Sequence, residues 1–141
     1  METTTKTSIT VKTTVKAPVE KVWKYWNEPK HITQWCAASD DWHAPKADND
    51  LREGGNFSTT MAAKDGSMSF DFGGIYTKVE QNKRIEYTIG DGRKVSIVFT
   101  ANSNETNVEE TFEAEGMNPI EMQRAGWQAI LDNFKKYTEN N

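Results

Sequence analysis

The chain has 141 residues, a formal net charge of -4 and 27% charged residues, enough for one domain with a core and an internal cavity. No basic patch is interleaved with aromatics, which excludes a nucleic-acid-binding surface. Mean hydropathy is -0.79, and no apolar run approaches the ~20 residues of a membrane-spanning helix. The one cysteine, Cys36, allows no internal disulfide, and the Thr-rich start has no secretory apolar region, so the expected compartment is the cytoplasm. Five tryptophans point to aromatic surface packed inside the fold or lining a cavity.

In chain order, Met1–Lys6 reads as a frayed tail. Ile9, Val11, Thr13, Val15 and Ala17 alternate with polar residues and predict a first strand. Pro18 opens a short helix through about Trp26, with Val19, Val22, Trp23 and Trp26 on one side. Pro29 opens a second, Lys30–Trp35. Cys36–Asp50 reads as a loop rich in Asp, Asn and Pro.

A meander of strands is expected next. Phe57, Thr59 and Met61 share one face, and Lys64-Asp65-Gly66-Ser67 makes a hairpin turn. Met68, Phe70 and Phe72 alternate. After Gly73-Gly74 the apolar phase moves to Ile75, Thr77 and Val79, the pattern of a β-bulge at the glycine pair. Turns at Gln81-Asn82-Lys83, Gly90-Asp91-Gly92 and Asn102-Ser103-Asn104 separate strands carrying Ile85, Tyr87 and Ile89, then Val95, Ile97 and Phe99, then Val108, Glu110, Phe112 and Ala114.

The one long helical signal is Asn118–Tyr137. Asn118 suits an N-cap and Pro119 the first helical position. Glu121 near the start and Lys135 and Lys136 near the end suit the helix dipole. Ile120, Trp127, Ile130, Leu131, Phe134 and Tyr137 form an apolar stripe. Gly126 weakens the helix by about 1 kcal/mol relative to Ala. Either a strand or ligand approaches it closely, or the glycine is simply tolerated. A strand, two short helices, a run of antiparallel strands and one long helix give an α+β order. The expectation is a curved antiparallel sheet wrapped around the C-terminal helix, in one domain spanning 1–141.

Several motifs resemble a known family. They are Ala17-Pro18 with Val22-Trp23, Trp35, Asp50-Leu51-Arg52-Glu53-Gly54-Gly55, Gly74-Ile75-Tyr76, Arg84-Ile85-Glu86-Tyr87, Thr106 before Val108, and Gly126-Trp127 with Leu131-Asp132-Asn133. Together they resemble the activator of heat-shock-protein ATPase homologue-like family, in the START-like (SRPBCC, birch pollen allergen-like) superfamily. The resemblance implies a helix-grip fold. It also implies three kinds of function: binding a hydrophobic or amphipathic small molecule, a co-chaperone-like interaction, or cyclase- or dehydratase-type catalysis. It supplies no catalytic residue that maps onto this chain.

If the inward strand phases are as read, Phe57, Met61, Phe70, Phe99, Glu110 and Phe112 line the concave face. Met122, Trp127 and Ile130 then approach from the helix and Trp35 from the connector. Such a set makes either a ligand cavity or a solid core. Glu110 shares phase with its apolar neighbours, so an inward carboxyl with a raised pKa is expected, unless it reaches a rim or pairs with an arginine. As an inward group it binds a ligand hydroxyl or amine, or acts as an acid or base. Arg52 either anchors an anionic ligand at the mouth or pairs with Asp50.

Cys36, His31 and His43 lie close in sequence but fit no tight metal motif. No catalytic triad, phosphate loop or dinucleotide fingerprint is present. The expectation is therefore a binding protein with no catalytic residues, no metal and no cofactor. Its partner is a hydrophobic or amphipathic small molecule, or alternatively a chaperone. Monomer and homodimer are both compatible with the sequence.

Overall fold

The computed structural model describes residues 7–90 and 92–141. The expected tail 1–6, and Asp91 of the expected Gly90-Asp91-Gly92 turn, lie outside the described residues. The elements in order are β1 (Ser8–Val15), α1 (Val19–Asn27), α2 (Pro29–Trp35), β2 (Trp42–Asn49), β3 (Asn56–Ala63), β4 (Ser69–Glu80), β5 (Arg84–Ile89), β6 (Lys94–Asn102), β7 (Glu105–Glu113) and α3 (Ile120–Asn140). Among the described residues the strands form one seven-stranded sheet in the order β1-β7-β6-β5-β4-β3-β2. Every neighbouring pair is antiparallel.

This order explains the connector. β1 and β2 are the two edges of the sheet, so α1 and α2 carry the chain from one edge to the other. The sheet curls into a half-barrel, and α3 lies against β1 and the connector helices on the concave side. Alternation sets the inward face. On β7, Thr106, Val108, Glu110 and Phe112 are all buried, while Asn107 and Glu109 face solvent. Buried side chains from β1, α1, α2, β4–β7 and α3 form one apolar cluster.

Three local expectations change. The segment read as a loop contains the edge strand β2. Only Ala44 is buried there, so no alternation shows in the sequence. Pro45 falls where the register shifts between His43 and Lys46. A missing N–H is tolerated at such an edge bulge. The second change concerns β4. The inward phase continues through Phe72 and Gly74 to Tyr76, and the bulge falls between Tyr76 and Lys78. Ile75 therefore points outward, about half exposed. The glycine pair has a different use. A Cβ on Gly73 would lie 2.5 Å from the Phe57 carbonyl oxygen, and one on Gly74 would lie 2.4 Å from that of Thr88. Backbone packs where side chains would be.

The third change is at the start of α3. The helix begins at Ile120 with Pro119 in the cap position and no side-chain cap. Asn118 instead donates through Nδ2 to Glu115 Oε2 at 2.8 Å. Glu115 also accepts from the backbone N–H groups of Met117 and Asn118 at 2.7 and 2.6 Å. Gln123 reaches back to close the turn, accepting from Glu115 N–H and donating to the Asn118 carbonyl. The carboxylate recruits Asn118, so it is not free to cap. The helix also runs past Tyr137, so Lys135 and Lys136 fall short of the last turn.

Nothing lies within 4 Å of the position a Cβ would take on Gly126, so no strand approaches it closely. Gly126→Ala is expected to raise stability by about 0.5–1 kcal/mol, from helix propensity and reduced unfolded-state entropy. Urea denaturation checks this; a loss of stability would show that the open space is needed.

Candidate functional site: a cavity beneath the C-terminal helix

The inward faces of β3, β4, β5 and β7 do not meet α2 and α3 everywhere. Between them lies a cavity of about 130 Å³. Its walls are aromatic, from Trp26, Trp35, Phe57, Phe72, Tyr76, Tyr87 and Trp127, with Ile32, Ile85 and Ile130. The rings hold one another in place. Phe57 meets Tyr87 edge-on at 4.6 Å between centroids, and Phe72 meets Trp127 at 5.9 Å. Trp127 is set from behind by Phe112, stacked at 3.8 Å and 10°. Two other hollows are larger, about 440 and 400 Å³, but more open and more polar. We therefore take the aromatic cavity as the candidate site.

The polar groups are few. Asn27, Asp48 and Asn49 line one part of the wall. The Tyr76 hydroxyl donates to Asn49 Oδ1 at 2.6 Å, and Asn49 donates to the Asn27 carbonyl at 2.7 Å. Glu110 reaches the cavity from β7, where its backbone pairs with Val11 and Ile97. Its side chain is only 6% exposed. None of the described residues donates a hydrogen bond to the Glu110 carboxyl. Burial in this wall pushes its pKa up to about 8. At neutral pH the group is mostly a neutral acid, able to donate one hydrogen bond and to accept others.

Two neighbours respond to it. The Cys36 thiol is raised to about 12, first by burial and then by the Glu110 charge. Tyr87 is raised well above the ordinary tyrosine value by burial, then by Glu110, Tyr76 and Cys36. Both are neutral while Glu110 titrates, so they feel its charge and it does not feel theirs. Cys36 donates to Met61 Sδ at 3.7 Å. A thiol held this far from ionisation is a poor nucleophile. Labelling with a disulfide reagent at pH 8 should run at least about a hundredfold slower than for an unfolded control. Comparable rates would mean that the Cys36 wall opens freely.

Of the side chains expected at a cavity, Trp35, Phe57, Glu110, Trp127 and Ile130 line this one. Met61, Phe99 and Phe112 are buried behind it. Phe70 and Met122 are corrections, at 51% and 60% exposed. Phe70 has the inward phase, opposite Met61, but sits near the β3–β4 turn where its ring neighbour is Trp42 at 5.9 Å. Met122 precedes the buried Leu131 by about two and a half helical turns and so faces the other way. Arg52 is well exposed and pairs with Asp50 at 2.9 Å, the structural reading of that residue. His31 stacks on Tyr25 at 3.9 Å and shares a hydrogen bond with the Tyr137 hydroxyl at 2.8 Å. Among the described residues no three His, Cys, Asp or Glu side chains are grouped to hold a metal ion.

Sequence reasoning missed Tyr76, Tyr87, Phe72 and Trp26 as lining residues. The signal for Tyr87 was present, in phase with Ile85 and Ile89. Tyr76 was hidden by placing the bulge at the glycines.

Among the described residues no helix is long and apolar enough to cross a membrane. Similar solved structures share the architecture over nearly the whole chain. An AHSA1-like protein from Aeromonas hydrophila is 45% identical, with a TM-score of 0.89 over 95% of this chain and 93% of that one. A protein from Cytophaga hutchinsonii is 66% identical, with a TM-score of 0.82 over 95% and 93%. A protein from Chromobacterium violaceum is 22% identical with a TM-score of 0.85 over 96% and 99%, which shows the fold alone. No curated protein matches the chain. The model of the family described as "Activator of Hsp90 ATPase homolog 1-like protein" matches residues 16–139, and the helix-grip architecture agrees, so the chain belongs to that family.

Proposed function

We propose that this protein binds a small hydrophobic or amphipathic molecule in the cavity between the sheet and α3. The observation that carries the reading is Glu110. A carboxyl without a partner inside an aromatic wall destabilises the free protein, and a guest with a matching polar group relieves that. The scale of the cavity narrows the guest. At about 130 Å³ it matches an apolar unit of benzene size rather than a sterol or long acyl chain. Native mass spectrometry of the purified protein, with released molecules identified, tests the reading. A stoichiometric added mass in the range of small organic molecules is the expected result. A clean mass from several expression hosts, with no melting shift across a small-molecule library, overturns it.

A second reading rests on the family description and on Ile75, which stands about half exposed on the outer face of the sheet. It is a co-chaperone-like interaction through that face. Stimulation of a chaperone ATPase that is lost in Ile75→Lys would support it, and no stimulation would end it.

A further inference from the structure

The character of the wall around Glu110 says which polar group the guest carries. The acidic side chains of the lining are Glu110, inside, and Asp48 of β2, which is largely exposed and pairs with Lys46 at 3.8 Å. None of the lining residues is Lys, Arg or His. The remaining titratable groups of the lining are Cys36 from the end of α2 and Tyr87 of β5, which both feel the Glu110 charge, and Tyr76 of β4. All three are neutral across the range in which Glu110 titrates. From α3 the lining residues are Trp127 and Ile130, from β5 Ile85, and the strand partners of Glu110 are Val11 of β1 and Ile97 of β6; none of these titrates. The cavity therefore holds one carboxyl, neutral in the free protein, and no cationic side chain among its lining residues. A carboxylate or phosphate guest finds no cationic side chain there to balance its charge.

The aromatic rings point the same way. A ring carries its negative charge on its faces, and a cation within about 6 Å of a centroid is attracted. Trp35, Phe57, Tyr87 and Trp127 surround the space into which Glu110 projects. An aromatic box closed by one carboxyl is the chemistry that recognises an ammonium group. A neutral hydroxyl or carbonyl guest uses the carboxyl but draws nothing from the ring faces.

Resting on the proposed cavity reading, we infer that the guest is a compact primary amine bearing one ring-sized apolar group, bound as ammonium with Glu110 as its counter-ion. The exchange balances in charge and protons. The free protein holds Glu110 as a neutral acid; the ammonium guest enters, the carboxyl gives up its proton to solvent, and the ion pair remains. No bond to carbon is made or broken. Glu110 thus serves as a proton-coupled gate for charge: the cavity is neutral when empty and neutral when filled.

The experiment is isothermal titration of the full chain with three probes of one shape: benzylamine, benzyl alcohol and toluene. Each is run in two buffers of different ionisation enthalpy and at several pH values. Benzylamine is expected to bind tightest at pH 8 and to release close to one proton at pH 7. Its affinity is expected to rise about tenfold per pH unit below about 8 and to level above, following ionisation of Glu110. Benzyl alcohol is expected to lack that rise. Glu110→Gln is expected to lose the proton release and the preference for the amine while still binding the alcohol. The proton count on the natural chain keeps the inference falsifiable even if the variant folds poorly. Benzylamine binding no tighter than benzyl alcohol at pH 8, or binding without proton release, overturns the amine and leaves the cavity reading standing. If none of the three binds, the amine falls as well, and native mass spectrometry then decides separately whether a different guest occupies the cavity.

Discussion

Replacing Glu110 with Gln should stabilise the ligand-free protein by roughly 3–4 kcal/mol at pH 8 relative to pH 5. The cause is burial. In the unfolded chain the carboxyl ionises near its ordinary 4.5, while in the folded cavity its pKa is about 8. A raised folded value means that folding takes up a proton. The stability from the neutral acid is fully present below pH 4.5 and is lost as pH rises towards 8. Above 8 the loss is complete, about 4–5 kcal/mol in full at roughly 1.36 kcal/mol per pH unit. Glutamine has nearly the same shape and nothing to ionise, so the variant skips the loss.

The natural protein alone would not give a clean answer. Burial also depresses the pKa of His31, so its contribution runs the other way: it is present above 6.5 and is lost as pH falls below that through the lowered folded value. Glu139, held below the ordinary carboxylate value by Lys135 and by the Lys16 N–H, loses its contribution in acid. Both groups are unchanged in Glu110→Gln, so they cancel in the difference. Urea denaturation of the two proteins at pH 5, 6.5 and 8 reads it directly. A difference that does not change with pH would mean that water or an unrecognised donor reaches the carboxyl, and that the cavity is not closed around it.

Phe134→Ala should cost about 3–5 kcal/mol, among the largest losses of any single truncation in this fold. Phe134 is fully buried on α3. Its ring takes the edge-to-face position against both Trp26 and Trp35, at 4.8 and 4.9 Å between centroids and 75° between planes. Trp35 is fixed in turn by its indole N–H, which donates to the Tyr25 carbonyl at 3.0 Å. The phenylalanine therefore joins the C-terminal helix to both connector helices at one point. Removing the ring leaves a void bounded by tryptophans that are themselves tied down, and a site that cannot collapse gives the high end of the range. Domains of this size have about 5–15 kcal/mol in all, so the variant is expected to be marginal at 37 °C. Phe134→Leu, which keeps much of the volume, should lose less than half as much. A loss below about 1.5 kcal/mol for the alanine variant would mean that α3 is held mainly by its contacts to β1.

How far the chain could be read in advance differs from element to element. Strands with one face in a closed core announced themselves, because period-two burial writes itself into residue type, as in Ile9, Val11 and Val15 or in Thr106, Val108, Glu110 and Phe112. The inward carboxyl of Glu110 was legible for the same reason. β2 was not, because an edge strand with a bulge buries too little to leave a pattern. The Asn118 cap failed because Asn118 is equally good at two local jobs, and the competing acceptor, Glu115, belongs to a turn with no signature of its own.

The candidate site divides along the same line. By itself the amino-acid sequence determined the order of elements, the inward phase of most strands, the apolar stripe of α3 and the placing of one carboxyl among apolar neighbours. These follow from local periodicity, which a chain carries whatever it packs against. Only the tertiary structure decided where the sheet and the helices fail to touch. A cavity is the difference between two surfaces, set by the bulge after Tyr76, the bare backbone of Gly73 and Gly74, and the lie of α3 against β1. For that reason Tyr76 entered the wall without local notice, while Phe70 and Met122, apolar and near enough in sequence, were left in solvent.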